Sequence, residues 1–151
     1  MQVTLERSPH LEQADPLRVL VVDDEAPLVK MMRKLLEVNG YTVEVASDGQ
    51  AALEAVGTFR PHIVVLDVMM PKENGYRVSR KIKMLGRIGG IRTIPKIILV
   101  TARDLSHDKE REEGMTTYSM ADGFLYKPFK LPDLLSEIRR MTVSKAPALA
   151  T

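Results

Sequence analysis

The chain has 151 residues, of which 44% are hydrophobic and 28% charged, a composition ordinary for one globular domain. Its 22 basic and 20 acidic side chains leave a net charge of +2, too small to indicate nucleic-acid binding by itself. Cysteine is absent, which excludes disulfides and thiolate metal sites, and no apolar signal segment or membrane-span pattern is present, so we expect a cytoplasmic protein with no membrane partner.

Short apolar runs alternate with amphipathic segments from residue 18 onward. β-branched or alternating runs predict five strands, at 18–22, 41–46, within 62–69, at 96–100 and at 123–126. Apolar residues at helical spacing predict four helices, at 27–40, 48–58, 75–87 and 131–141. Pro27 suits the first turn of the first helix, and Asn39-Gly40 suits its end.

The segment 104–122 is poor in apolar periodicity and contains Gly114. We therefore expect a fourth helix between the last two strands that is short, displaced or partly irregular. Its charged run at 107–113 is more typical of a solvated helix face than of a recognition motif.

The alternation of strands and helices indicates βαβ units and an α/β fold with a parallel sheet covered on both faces. Right-handed crossovers favour a doubly wound sandwich, which binds ligands at the carboxyl ends of its strands. We place one domain at 17–141, with an N-terminal tail at 1–16 and a C-terminal tail at 142–151 that lack periodicity.

Polar residues follow or end four of the predicted strands: Asp23, Asp24, Asp67, Thr101 and Lys127. Because the carboxyl ends of parallel strands share one edge, three carboxylates, a hydroxyl and an ammonium should converge there. Hard oxygen ligands suit Mg²⁺, and a lysine beside them suits an anion such as a phosphoryl group. Each residue alone has a structural explanation as a cap, a turn former, a strand residue or a surface charge, but five in register are improbable by chance.

The segments VLVVDDE, VVLDVMMPKENGY, IILVTA and GFLYKPF together resemble the receiver domain of two-component response regulators over about residues 17–141. The resemblance implies a flavodoxin-like three-layer sandwich with strand order 2-1-3-4-5. It implies that Asp67 is the phosphoacceptor and that Asp24, Asp67 and the backbone carbonyl of Met69 coordinate Mg²⁺ or Mn²⁺. Asp23 would act through a bound water, and Glu25 would be a first-turn helix acid or a peripheral ligand.

Further roles follow from the same resemblance. Thr101 and Lys127 would each contact a phosphoryl oxygen, and the signal would be read out by Thr101 together with the aromatic residue Phe124. A cis peptide between Lys127 and Pro128 is implied as well. Met69, Ala102 and Arg103 would tune the lifetime of the phosphoryl group, and we expect slow autodephosphorylation.

The third helix and the loop after it are basic. Residues 77–96 contain seven lysine or arginine side chains and no acid. We read this segment chiefly as a solvated helix face, with an acidic protein partner or nucleic acid as alternatives. It is the only hint of a nucleic-acid partner, which we do not expect.

The sequence thus predicts a stand-alone receiver that takes its phosphoryl group from a sensor histidine kinase or a histidine phosphotransfer protein and then switches contacts with an output protein. Turnover on a separate substrate is not expected, so the chain is not predicted to be an enzyme. Two alternatives stay open: a phosphorelay intermediate and a constitutive binding module that is seldom phosphorylated. A homodimer formed on phosphorylation also stays open.

Overall fold

The computed structural model describes residues 15–102 and 109–142. Five strands and five helices alternate within them: β1 Arg18–Val22, α1 Ala26–Val38, β2 Thr42–Ala46, α2 Gly49–Phe59, β3 Ile63–Asp67, α3 Gly75–Arg87, β4 Lys96–Ala102, α4 Lys109–Ser119, β5 Gly123–Lys127 and α5 Leu131–Thr142. Every predicted strand and helix is present, and most boundaries lie within two residues of the prediction. The predicted tails fall almost wholly outside the described residues, so their limits stay predictions.

The strands form one parallel sheet in the order β2-β1-β3-β4-β5, which confirms the predicted doubly wound topology. In the register of the sheet, Asp67 at the end of β3 pairs with Val100, and Ala102 at the end of β4 pairs with Lys127. All five carboxyl ends therefore lie at one edge, where the predicted polar residues are found.

Two apolar layers hold the helices against the sheet. Val21 and Val65 face α1 and α5, where they pack with residues such as Met32 and Ile138. The alternate strand residues face α2 and α3 in a second layer that includes Leu66. Since burying one such side chain contributes about 1.5–3 kcal/mol, these layers hold the strand ends in a fixed arrangement.

Local capping explains where two of the helices begin. The Asp48 carboxylate accepts a hydrogen bond of 2.8 Å from the backbone N–H of Ala51 at the start of α2. The Asn74 side chain accepts one of 2.7 Å from the N–H of Tyr76 at the start of α3. Both satisfy amide donors that a helix leaves unpaired in its first turn.

The fourth helix differs from its prediction. Residues 109–119 form a continuous α-helix of 11 residues that includes Gly114, so this stretch is regular; residues 104–108 of the predicted segment lie outside the described residues. The helix lies against α3, and the hydroxyl of Ser79 donates a buried hydrogen bond of 2.8 Å to the carbonyl of Ser119. Such tertiary contacts stabilise a helix whose own apolar pattern is weak.

Two further predictions concern the backbone and the membrane. The peptide bond between Lys127 and Pro128 is cis, as the resemblance implied. Among the described residues, no helix combines the length and the apolar character needed to cross a membrane.

Candidate functional site

The carboxyl edge of the sheet gathers the polar residues singled out in the sequence. Asp23 and Asp24 directly follow β1, Asp67 ends β3, Thr101 lies one residue before the end of β4, and Lys127 ends β5. One carboxylate oxygen from each of the three aspartates lies within 4.8 Å of the others. The structure thus brings together the three carboxylates that the spacing predicted.

Lys127 lies among these acids. Its ammonium nitrogen is 3.6 Å from Oδ1 of Asp67, 3.7 Å from Oδ2 of Asp23 and 3.6 Å from Oε1 of Glu25. These separations are those of ion pairs rather than of short hydrogen bonds. With Asp24 included, four acids face one base, and the ionised cluster carries an excess of negative charge.

Asp67 is the most strained of these groups electrostatically. Its side chain is only 3% exposed, and Oδ1 has no hydrogen-bond partner among the described residues. Burial, reinforced by the negative charge of Asp23, raises the pKa of Asp67 from 3.8 to about 6, although Lys127 opposes the rise. An ionised carboxylate in this position lacks enough positive charge and hydrogen bonding to compensate its desolvation.

The neighbouring groups are shifted in the directions that this geometry requires. Burial also raises the pKa of Asp23, although the N–H of Glu25 donates to its Oδ1 at 2.9 Å and Lys127 adds positive charge. Burial disfavours the charged form of Lys127, but Asp23, Asp67 and Glu25 together outweigh it and raise the pKa of the ammonium. The lysine therefore stays charged at neutral pH.

The residues present suit a divalent cation. Three carboxylates converge, and one buried oxygen of Asp67 lacks a hydrogen-bond partner within the described residues. Asp24 is exposed, so a bound ion could keep part of its water shell on that side. Carboxylate oxygens with room for water are the environment that small hard cations such as Mg²⁺ prefer.

The proposed switch residues lie on β4 and β5. Thr101 is 9% exposed, and within the described residues its hydroxyl makes only a long contact of 3.4 Å to the carbonyl of Ala102. Phe124 is half-buried and packs against the layer under α2 and α3. Ala102 is exposed beside Lys127, which leaves space at the edge.

A shallow cleft adjoins the acidic cluster on the side of the β3–α3 loop. Its volume is about 410 Å³, and it is lined by Asp24 and by the residues from Val68 to Asn74. Met69 in this loop is 71% exposed, so its apolar side chain stands at the rim of the site. Arg103, the remaining predicted tuning residue, lies outside the described residues.

Two residues of the site were missed or undervalued by sequence reasoning. Glu25 was predicted as a first-turn helix acid or a peripheral ligand, without a contact to Lys127. Its carboxylate lies within ion-pair distance of Lys127, and its place in the acidic run DDE was the available signal. Gly75 begins α3, and an added Cβ would clash with the carbonyl oxygen of Asp67 and lie 2.6 Å from Cα of Val68. A glycine there lets α3 approach the backbone at the end of β3, and no local pattern reveals this contact.

Comparisons with known proteins place these features in a family context. The model of the family described as "Response regulator receiver domain" matches residues 19–139. The chain is similar to "Response regulator MprA" of Mycolicibacterium vanbaalenii, with 41% identity over 126 residues that make up 83% of this chain and 50% of that protein. The chain therefore spans about half the length of the curated relatives that it matches.

Solved structures agree with the topology. The chemotaxis response regulator CheY4 of Vibrio cholerae superimposes with a TM-score of 0.70 at 29% identity, covering 83% of this chain and 98% of that one. DrrB, a response regulator of Thermotoga maritima, gives a TM-score of 0.69 at 28% identity, covering 83% of this chain and 52% of that one. The shared fold is the five-stranded parallel sandwich described above.

Proposed function

Because the chain belongs to the response regulator receiver family, with residues 19–139 matching the family model, we propose that Asp67 accepts a phosphoryl group from a phosphohistidine. The donor is a sensor histidine kinase or a histidine phosphotransfer protein. The observation that carries the proposal is the position of Asp67: a buried carboxylate whose Oδ1 lies 3.6 Å from Lys127, accepts no hydrogen bond from the described residues and lies beside Asp23 and Asp24. Phosphorylation then changes the contacts of the domain with an output protein.

The acidic cluster would hold Mg²⁺, or Mn²⁺ in its place. Asp24, Asp67 and the backbone carbonyl of Met69 would be its ligands, and Asp23 would contribute through a bound water. When bound, the cation supplies positive charge that offsets the repulsion between the carboxylates and an incoming phosphoryl group. Two observations support this assignment: the three carboxylates converge, and Oδ1 of Asp67 accepts no hydrogen bond from the described residues.

The protein residues then act by position and charge. An oxygen of the Asp67 carboxylate attacks phosphorus, the P–N bond of the donor breaks, and the departing imidazole keeps the electron pair and takes a proton from solvent. Lys127 neutralises one phosphoryl oxygen, and the Thr101 hydroxyl, which makes a long contact to Ala102, donates to another. Since the transition state of phosphoryl transfer is loose, positioning and charge neutralisation supply most of the acceleration.

The readout of this step would involve β4 and β5. A shift of the Thr101 hydroxyl toward the phosphoryl group leaves space that the ring of Phe124 can enter, and Leu99 pairs with Phe124 in the sheet. The ring is half-buried, which suits two discrete packings rather than one fixed core position. Its rotamer would therefore couple the site to the outer surface of β5.

The acyl phosphate is expected to persist because the rim gives little help to an attacking water. Met69 is apolar and exposed, and Ala102 is small. We further propose that the chain turns over no separate substrate, so that self-phosphorylation and slow self-dephosphorylation are its only reactions. Loss of the phosphoryl group within seconds in a chase experiment would contradict the slow reset.

Labelling with a small phosphodonor tests the proposal. Incubation with phosphoramidate and Mg²⁺ should attach one phosphoryl group to the chain, as measured by intact mass. The Asp67→Ala variant should remain unlabelled, whereas Glu44→Gln, a change at an exposed residue of β2, should label normally. Undiminished labelling of Asp67→Ala would refute the assignment of the acceptor.

A further inference from the structure

A cleft of about 540 Å³ lies on the outer side of α3, away from the acidic cluster. Its walls come from α3 and from Tyr118 of α4, and Leu53 of α2 contributes from the third side. α3 starts at the backbone of Asp67 and runs toward the opposite edge of the sheet. Ile88, thirteen residues after Gly75, therefore lies about 20 Å farther along the helix axis.

The lining of this cleft has two different halves. Arg77, Arg80 and Lys81 line the half near the start of α3, and Met84, Leu85 and Ile88 line the half near its end. Apolar side chains are unusually exposed in the second half: 74% for Ile88 and 38% for Met84. Clustered exposed apolar residues rimmed by charge are characteristic of interaction surfaces rather than of ordinary solvent-facing helices.

One wall of the cleft is held in place before any partner arrives. The guanidinium carbon of Arg80 lies 4.7 Å from the ring centroid of Tyr118, and its Nη1 donates to the Tyr118 carbonyl at 2.9 Å. Tyr118 keeps 40% of its surface exposed in this arrangement. A fixed aromatic side chain next to an arginine is the kind of anchor on which interface energy concentrates.

The basic charge around the cleft is only partly neutralised within the chain. Lys81 pairs with Glu73 at 2.6 Å, and Lys83 pairs with Asp122 at 2.7 Å. Arg77 is exposed, and the described residues include no acid in ion-pair contact with it. Residues 77–96 contain seven lysine or arginine side chains and no acid, so this segment attracts an anionic partner electrostatically.

From these observations we propose that the cleft binds an acidic amphipathic peptide segment of another protein. Carboxylates of that segment face Arg77, and its bulky apolar side chains fill the half formed by Met84, Leu85 and Ile88. The span from residue 77 to 88 is about 16 Å, which is the length of three helical turns of a bound peptide. The binding surface is separate from Asp67, so docking does not require an intact phosphoacceptor.

The geometry disfavours other occupants. A second copy of the chain placed symmetrically on this surface would bring two basic segments 77–96 together, with no acid in either segment to pair with them. A nucleic acid would pair its phosphates with the basic side chains but would leave Met84 and Ile88 exposed to water. A flat anionic membrane would reach the rim but would not fill a concave cleft of this volume.

Fluorescence of a designed peptide tests this proposal directly. The chain has no tryptophan, so one tryptophan within an acidic amphipathic helical peptide is the only such reporter in the mixture. We expect saturable binding by the full chain. A matched peptide with lysine in place of each acid, and another with serine in place of each apolar residue, should each bind at least about tenfold more weakly.

Variants of the protein locate the binding surface. Arg77→Glu and Ile88→Ser change exposed residues at the two ends of the cleft, and each should weaken binding about five- to tenfold. Lys34→Glu makes the same charge change as Arg77→Glu, but at an exposed residue of α1 on the other face of the sheet. This variant should bind the acidic peptide normally. Thermal unfolding of each variant confirms that the fold is retained.

The possible results separate the alternatives. Equal binding of the acidic and the lysine peptide, or normal binding by Arg77→Glu and Ile88→Ser, would overturn the proposal. Binding of a single-stranded oligonucleotide that is lost in Arg77→Glu, in the absence of peptide binding, would assign the surface to nucleic acid instead and would also overturn it. Asp67→Ala should bind the peptide normally, so the outcome of this test does not depend on phosphorylation of Asp67.

Discussion

Neutralising Asp67 should stabilise the metal-free domain. The change is Asp67→Asn, which keeps the shape of the side chain and removes its charge. In the wild type, burial and the charge of Asp23 raise the pKa of Asp67 from 3.8 to about 6. A difference of this size corresponds to about 3 kcal/mol, because a tenfold change in proton affinity is worth about 1.4 kcal/mol. This is an upper limit, since Lys127 loses one of its acidic partners in the variant.

Proton linkage gives the direction of this change in stability. The folded state binds the proton of Asp67 more tightly than the unfolded state does, so ionisation of this group opposes folding as pH rises from about 3.8 to about 6. Above pH 6 the whole cost is present, and below about pH 4 it is absent. The free energy of unfolding of Asp67→Asn should therefore exceed that of wild type by about 1–3 kcal/mol at pH 7.5, with the difference vanishing near pH 4.

Urea denaturation in the presence of EDTA, followed by circular dichroism at several pH values, measures this difference. Glu44→Gln is the matched control, because it removes a carboxylate that is exposed on β2. We expect that control to change stability by less than about 0.5 kcal/mol. If Asp67→Asn were equal to or less stable than wild type at pH 7.5, or if its advantage did not depend on pH, the electrostatic account of the site would be wrong.

Three further predictions concern the metal, the backbone and a remote histidine. Mg²⁺ should raise the unfolding midpoint of the wild type, and Asp24→Ala should remove most of that gain; equal gains in both proteins, measured by thermal unfolding, would contradict the assigned ligand. Gly75→Ala should lower stability by about 1–3 kcal/mol and slow phosphoramidate labelling, because its Cβ clashes with the backbone of Asp67 and Val68; labelling at the wild-type rate would show that this close approach is not required. Burial and the charge of Arg18 lower the pKa of His62, whose Nδ1 accepts from the Arg18 N–H at 2.9 Å. The stabilisation from the neutral His62 ring is present above about pH 6.5 and is lost as pH falls through the lower pKa of the folded state. Between pH 7 and pH 5, His62→Asn should therefore lose less free energy of unfolding than the wild type does. Identical dependences of stability on pH in the two proteins would refute this linkage.

The layout of the sheet was accessible from the sequence because its central strands β1, β3 and β4 are short apolar runs rich in β-branched residues and buried on both faces. Val19, Val21 and Val65 lie in the core under α1 and α5, as such runs require. Once five strands alternate with helices, the carboxyl edge becomes a single place, and Asp23, Asp67 and their polar partners must meet there. The site could thus be assembled without knowledge of any side-chain distance.

Features that depend on packing between distant segments were not accessible in this way. Gly75 is needed because α3 approaches the backbone of Asp67, and nothing in the residues around Gly75 signals that contact. α4 forms a regular helix because it packs against α3 through the Ser79–Ser119 hydrogen bond, although its own pattern is weak. The approach of Glu25 to Lys127 likewise depends on how the chain leaves β1, which residue spacing does not specify.

The prediction of a stand-alone receiver concerns the protein outside the matched domain. The curated relatives are about twice as long as the matched region, so the prediction of a stand-alone receiver is not tested by them. The acidic edge of the sheet and the cleft on α3 are separate surfaces whether the receiver stands alone or is joined to another domain. The acidic edge would receive the signal, and the basic and apolar cleft on α3 would recruit a partner.

Mapping the labelled residue tests the central claim most directly. After reaction with phosphoramidate and Mg²⁺, borohydride reduction converts an aspartyl phosphate to homoserine, and peptide mass spectrometry then locates the changed residue in the wild-type chain. We predict homoserine at position 67 and no conversion at Asp23 or Asp24. Conversion at another aspartate, or a labelled chain with no homoserine at position 67, would contradict the assignment of Asp67 as the phosphoacceptor.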